Sequence, residues 1–237
     1  MSTADADRVR ALWRELTGVP DAFTSAAPLV VGSDAHRASR PGWVGIVEVC
    51  GRIVVACPTA DVERVSDRLT DRLGPVIDRR TIDRLLQPVD TLGPALLFYG
   101  RGTVPLPPAE RVVGPLEIGD GRVQAVFADA TIAERNEAGI EHATSGVYVG
   151  GTAHDAPAAL CGWRVWPQRI AHMSILVAVS QRGRGYGLTT AAAALDAASH
   201  AGLLPQWRAA HGNHASIALA RRLGLELLGH QYSVRMS

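Results

Sequence analysis

The stretch Ile175-Leu176-Val177-Ala178-Val179-Ser180-Gln181-Arg182-Gly183-Arg184-Gly185-Tyr186-Gly187-Leu188-Thr189-Thr190 decides how the chain is read. Its apolar opening, Ile175 to Val179, predicts a buried strand. The alternating glycines behind it lead into an alanine-rich helix over 188–201 that stops at Gly202. Lacking a Cβ, Gly183, Gly185 and Gly187 let the backbone approach a ligand and aim several N–H groups at one point. The helix that starts there adds the positive end of its macrodipole, and Arg182 and Arg184 flank it. Strand, glycine loop and helix together predict an anion cradle.

Spacing excludes the two commonest cradles of this kind. A Walker loop ends in Gly-Lys-Ser/Thr, and this chain contains no lysine. The dinucleotide fingerprint needs G-x-G-x-x-G inside an early βαβ unit, whereas these glycines alternate and lie near the C-terminus.

Arg182-x-x-Gly185-x-Gly187 instead resembles the R/Q-x-x-G-x-G/A signature at the acetyl-CoA site of the GNAT superfamily of N-acetyltransferases. A second block supports the resemblance: the short strand Gln206 to Ala210, then Asn213 to Leu225, is similar to that family's N-x-x-[A/S]-I…G-F segment. The resemblance covers about residues 112–237. It implies an α/β (α+β, mixed-sheet) GNAT-like acyl-CoA N-acyltransferase fold with acetyl-CoA as acyl donor. Gly183 to Leu188 with Arg182, including Arg184, Gly185, Tyr186 and Gly187, would then hold the pyrophosphate. Ile175, Leu176 and Val177 would hold the pantetheine, and Asn213 with Ser216 its far side. The thioester would lie where the two strands splay, near Val177 and Ala210, with an N–H near Val177 polarising its carbonyl.

Direct attack needs a neutral amine, so the resemblance also implies a base. Where many relatives carry a glutamate, the nearest positions here are Ala171 and His172. His172 is the first candidate, with a pKa expected to suit neutral pH. The competing reading is a strand histidine bonded to backbone. Glu134, Glu137 and Glu141, in the segment that lines the acceptor pocket of relatives, are rivals; each reads equally as part of a solvated helix face. The tyrosine that protonates the leaving thiolate in many relatives is replaced by Ala220, leaving Tyr186 and Tyr232 as nearby candidates.

Other constellations are weaker. His211-x-x-His214 lacks acidic or cysteine partners, so no metal is expected. Ser145, Ser174 and Ser180 have no recognisable His/Asp arrangement, and Trp163, Trp166 and Trp207 read first as core strand residues.

All 24 cations are arginine, against 23 acidic residues, and no basic stripe stands out; nucleic acid is not an expected partner. Arginine-only usage with abundant alanine suggests a GC-rich bacterial coding genome. The N-terminus lacks a signal-peptide pattern and no apolar run reaches membrane-span length, so a cytoplasmic protein with reduced Cys50, Cys57 and Cys161 and no membrane association is expected.

Periodicity predicts helices over 6–17, 60–73 and 81–86, and a hairpin of 42–49 with 53–57 turning at Gly51-Arg52. A packed segment at 92–99 then leads to a proline-punctuated linker over 100–114. A boundary near 110 divides a smaller α/β N-terminal domain, 1–105, of no readable chemistry (a lid over the acceptor, a degenerate second GNAT-like fold or a dimer surface) from a GNAT domain, 111–237. Within the latter, strands are expected at 122–127, 146–151, 158–166, 170–179 and 230–236, and short helices at 128–143. The reading of function is acetyl transfer from acetyl-CoA to a primary amine of a small molecule or peptide. The alternatives are another acyl-CoA or carrier-protein donor, or a non-catalytic acyl-CoA-binding module. The acceptor is unidentified and a homodimer is the default assembly.

Overall fold

The structure, a computed structural model, describes residues 2–74, 77–103, 105, 111–151 and 156–237. Helix α1 (Thr3–Thr17) is capped by the Ser2 hydroxyl, ends at Gly18 with φ 72°, and buries Val9, Leu12, Trp13 and Leu16, the face its spacing predicts. Strands β1 (Leu29–Gly32), β2 (Val44–Val49) and β3 (Arg52–Cys57) follow. The β2–β3 hairpin turns through Cys50 and Gly51, both at positive φ, as a tight hairpin turn requires. Helix α2 (Val62–Leu69) stops short of the predicted 73, α3 (Arg79–Leu86) is capped by Asp78, and β4 (Asp90–Tyr99) takes up the packed apolar segment.

Next come β5 (Val112–Leu116), α4 (Gly121–Ala128), α5 (Ile132–Ala138), β6 (Val147–Gly150), β7 (Ala159–Trp166) and β8 (Ile170–Val177). The chain ends with α6 (Tyr186–His200), β9 (Leu204–Ala210), α7 (His214–Arg222) and β10 (Glu226–Arg235). One expectation is overturned: residues 122–127 form a helix, not a strand. Asp120 caps it by accepting the Arg122 N–H at 2.9 Å, and Val123, Val126 and Phe127 recur at helical spacing and are buried. The alternation Val123, Ala125, Phe127 mimics a strand over so short a run.

Two compact units result, neither contiguous in sequence: Met1–Phe98 with Ala209–His214 and Leu227–Ser237, and Tyr99–Arg208 with Ala215–Glu226. The proposed boundary near residue 110 lies outside the described residues. In the first unit the strand order is β1-β3-β2-β10-β4. The last strand, read from sequence as part of the C-terminal domain, pairs antiparallel with β2 from Gly229↔Val49 to Val234↔Val44. Tyr232 and Val234 thereby join a core with Ile46, Val55, Leu69 and Ile82.

In the second unit the order is β9-β8-β7-β6-β5. Val123, Val126, Phe127 and Ile140 pack on Leu160 and Leu176, covering one face of this sheet. Helix α6 covers the other face: a Cβ at Gly187 would lie 3.0 Å from Val177 Cγ2, and side chains at 176 and 177 point to opposite faces.

Candidate active site

The site grows from the β7–β8–β9 ladder. β7 pairs antiparallel with β8 along its whole length, Ala159↔Val177 to Trp166↔Ile170. The parallel ladder of β8 with β9 has three rungs, Ile170↔Leu204, Ala171↔Pro205 and His172↔Gln206, and then ends. β8 runs on to Val177 and β9 to Ala210. Alternate residues of 173–177 therefore direct N–H and C=O away from β7 on a side where no β9 rung meets them. Ile175, Leu176 and Val177 all lie in this unpaired length.

Val177 leads through a single 3₁₀ turn (Val179–Gln181) into the glycine loop and α6. The glycines divide the work. Gly183 and Gly185 sit at φ 78° and 88°, and a Cβ at either would meet no atom within 4 Å. They supply left-handed backbone beside open space. Gly187, where a Cβ would lie 3.0 Å from Val177 Cγ2, is instead a packing glycine that brings α6 down on the sheet. Gly185 is the residue before α6 and provides no side-chain cap, so the N-terminus of a 15-residue helix opens at the loop. Arg184, exposed, has no ion-pair partner among the described residues, and Leu188 stands in the first turn of α6. Tyr186 begins the helix, and its carbonyl accepts from the Thr189 and Thr190 hydroxyls at 3.0 and 2.7 Å.

Two carboxylates brace the loop from behind. Asp129 Oδ2 accepts the Ser180 N–H at 3.0 Å and the Ser180 hydroxyl at 2.7 Å. Glu134 Oε1 accepts from Arg182 Nη2 at 2.5 Å, while its other oxygen closes the capping box of α5 with Thr131. The Ser180 bonds hold Asp129 below the usual carboxylate range, and the Arg182 bond pulls Glu134 down to about 2. Glu134 is thus a loop anchor. Arg182 ties the glycine loop to the start of α5.

His172 stands on the last rung of the β8–β9 ladder, half-buried. Its Nδ1 lies 2.8 Å from Gln206 Oε1, and Gln206 Nε2 donates to the Tyr99 hydroxyl at 2.6 Å. With Oε1 accepting, Nδ1 carries the proton and Nε2 keeps the lone pair. Trp166 stacks on the ring, centroids 4.2 Å apart and planes 10° from parallel. The expected near-neutral pKa is corrected: desolvation, with smaller contributions from the Arg208 and Arg164 charges, drives His172 down to about 4 against the Gln206 bond. It is neutral at pH 7.

The rival bases fare differently. Glu141, exposed, is paired with Arg135, whose guanidinium also lies over the Phe127 ring. Glu137 is exposed on α5. Their segment does pack beside β8, where a Cβ at Gly139 would come 3.9 Å from Ser174 Oγ. Ser216 accepts the Trp207 Nε1–H at 2.9 Å, so its hydroxyl is tied to the core indole. Asn213 precedes α7, its N–H donating to the Ala210 carbonyl at 2.8 Å; it belongs to the first compact unit. Ala220 is fully buried. Among the described residues no group of three or more His, Cys, Asp or Glu is arranged to hold a metal ion, and no helix is long and apolar enough to cross a membrane. Burial raises the thiols of Cys57 and Cys161 to about 11 and about 12.

Sequence reasoning missed Gln206, Tyr99 and Asp129 as site residues. Gln206 carried a signal: a single polar residue within Leu203-Leu204-Pro205-Gln206-Trp207, fully buried in the structure.

Residues 122–225 match the model of the acetyltransferase (GNAT) family. No curated protein matches the chain. Among solved structures, a GCN5-related N-acetyltransferase from Sphaerobacter thermophilus is 13% identical, covering 98% of this chain and 92% of that one, with a TM-score of 0.48. A GCN5-related N-acetyltransferase-like protein from Streptococcus suis is 14% identical over 97% of this chain and 98% of its own, TM-score 0.44. A GNAT-family acetyltransferase from Colwellia psychrerythraea is 15% identical over 68% of this chain and 62% of its own, TM-score 0.46. Over residues 122–225 this chain carries a domain of the GNAT acetyltransferase family, whose enzymes use acyl-CoA donors.

Proposed function

We propose that the protein transfers acetyl from acetyl-CoA to a primary amine by direct attack. The observation that carries this reading is the β8–β9 ladder ending at His172↔Gln206 while β8 continues into a loop whose Gly183 and Gly185 face open space at the start of α6. Unpaired strand groups after His172 suit the pantetheine amides, and the loop N–H groups with Arg184 suit the pyrophosphate. Leu188 closes the first turn behind them.

The amine nitrogen attacks the thioester carbon, a C–N bond forms as the C–S bond breaks, and CoA leaves as thiolate. An alkylammonium of pKa about 10.4 must lose its proton first, at a cost of roughly 4–5 kcal/mol at pH 7. His172, held near 4, is too weak a base to take that proton. Its lone pair at Nε2 is suited instead to accept a hydrogen bond from the neutral amine and orient it. The proton passes to solvent or to the departing thiolate.

Calorimetric titration of acetyl-CoA, with Gly185→Glu as control, tests the donor site; release of free thiol across an amine panel tests the chemistry. Micromolar binding lost in the variant, together with thiol release, supports the reading. The buried Ala220, where many relatives have a tyrosine, favours a second one, an acyl-CoA-binding module without turnover. Binding with no thiol released by any amine would establish that alternative, and activity only with a loaded carrier protein would point to a carrier donor.

A further inference from the structure

On the face of the second unit's sheet that carries α4 and α5, side chains alternate so that Arg164 and Trp166 of β7, His172 of β8, and Gln206 and Arg208 of β9 point the same way. Arg164 is the register partner of His172, and Gln206 is its partner on the other side. Arg164 and Arg208 are both exposed, and neither has an ion-pair or hydrogen-bond partner among the described residues. Arg164 lies 5.9 Å from the Trp166 ring centroid. Desolvation alone pulls Arg208 below its ordinary value, with no carboxylate to offset it. The Trp166 Nε1–H is buried without a hydrogen-bond partner. Such an orphan donor is costly and uncommon in a finished site.

Two unpaired guanidinium groups and one unspent indole N–H therefore surround a neutral imidazole at the point where the ladder ends. The guanidinium groups and the indole N–H are donors, and none of the five side chains Arg164, Trp166, His172, Gln206 and Arg208 is acidic. We infer that the acceptor amine carries an anionic oxygen group, a carboxylate or a phosphate, held by Arg164 and Arg208. This rests on the acyl-transfer reading and names the substrate class of that same site. Planar guanidinium forks match either anion bidentately. Trp166 supplies a flat wall, and His172 between them stays neutral and adds no competing charge.

The test uses matched pairs: an amino acid against its decarboxylated amine, and an amino-sugar phosphate against the free amino sugar. Each is assayed for thiol release from acetyl-CoA and, separately, for calorimetric binding to the protein with and without CoA. The anionic member is expected to win in each pair it shares with this site, and Arg164→Gln or Arg208→Gln to cut the anionic-over-neutral preference about tenfold. The two exposed positions should leave the melting curve in place. Carboxylate and phosphate pairs tell the two anions apart. Equal or better use of the neutral members, with thiol release intact, overturns this inference and leaves acyl transfer standing. Arginine-dependent binding of the anionic probes without thiol release supports the anion site while defeating the turnover reading. Absence of both binding and release overturns both.

Discussion

His172 Nδ1 lies 2.8 Å from Gln206 Oε1 on the rung where the β8–β9 ladder ends, so the last backbone rung brings together the two side chains whose contact fixes the histidine tautomer. Gln206 is fully buried and passes the bond on to Tyr99. Gln206→Leu strands two polar groups and should cost about 1–3 kcal/mol in denaturant unfolding. Gln206→Glu replaces a dipole with a charge and should raise the His172 pKa from about 4, read by imidazole NMR titration. An unmoved His172 resonance in that variant would show that the contact is not made.

The depressed His172 pKa has a sign in stability. Its folded value, about 4, lies below its unfolded value of 6.5, so between these pH values the unfolded chain binds more protons. The stability tied to the neutral ring is complete above pH 6.5 and is lost as pH falls toward 4. His36, also lowered by burial, adds in the same direction. Replacing His172 by Gln should flatten the stability slope between pH 6.5 and 4, and an unchanged slope would assign it to other groups. Activity in the same window should fall with pH through the amine, with no separate limb near 6.5 from this ring.

Asp129 and Glu134 hold the glycine loop from outside its glycines. Asp129→Asn and Glu134→Gln should raise the Kd for acetyl-CoA several-fold and scarcely move the melting temperature, because both contacts are exposed. A kcat loss with unchanged donor affinity would place these carboxylates in the chemistry instead.

The helix that follows the loop leaves no room at its sheet contact. A Cβ at Gly150 would lie 1.8 Å from Thr190 Oγ1, and Thr190 is fully buried. Gly150→Ala should destabilise by about 1–3 kcal/mol through overpacking. Adding Thr190→Ala, which removes the clashing oxygen, should recover part of that loss, so the double-mutant cycle is non-additive. Strict additivity would mean that α6 relaxes away from β6.

Much of the fold was legible because its signals are local. The strand, glycine loop and helix of 175–200 are consecutive, so period, turn residues and end residues sit within one window. The β2–β3 and β7–β8 hairpins were legible for the same reason. The run 122–127 failed because six residues satisfy both periods, and the cap at Asp120 with burial of Val123, Val126 and Phe127 decides for helix.

The sequence by itself determined the strand, glycine loop and helix of 175–200, and in what order they follow, all through bonds between near neighbours. Tertiary structure alone decided what surrounds them. Register, a long-range property, stops the β8–β9 ladder at His172, places Gln206 against the imidazole and Arg164 beside it, and sends β10 to pair with β2. Burial then turns a neutral-pH base candidate into a ring held near 4, and the long-range hydrogen bond from Arg182 turns Glu134, a carboxylate expected at the acceptor, into an anchor for the loop. Residues far apart in the chain acquire their chemistry only from the neighbours that folding gives them.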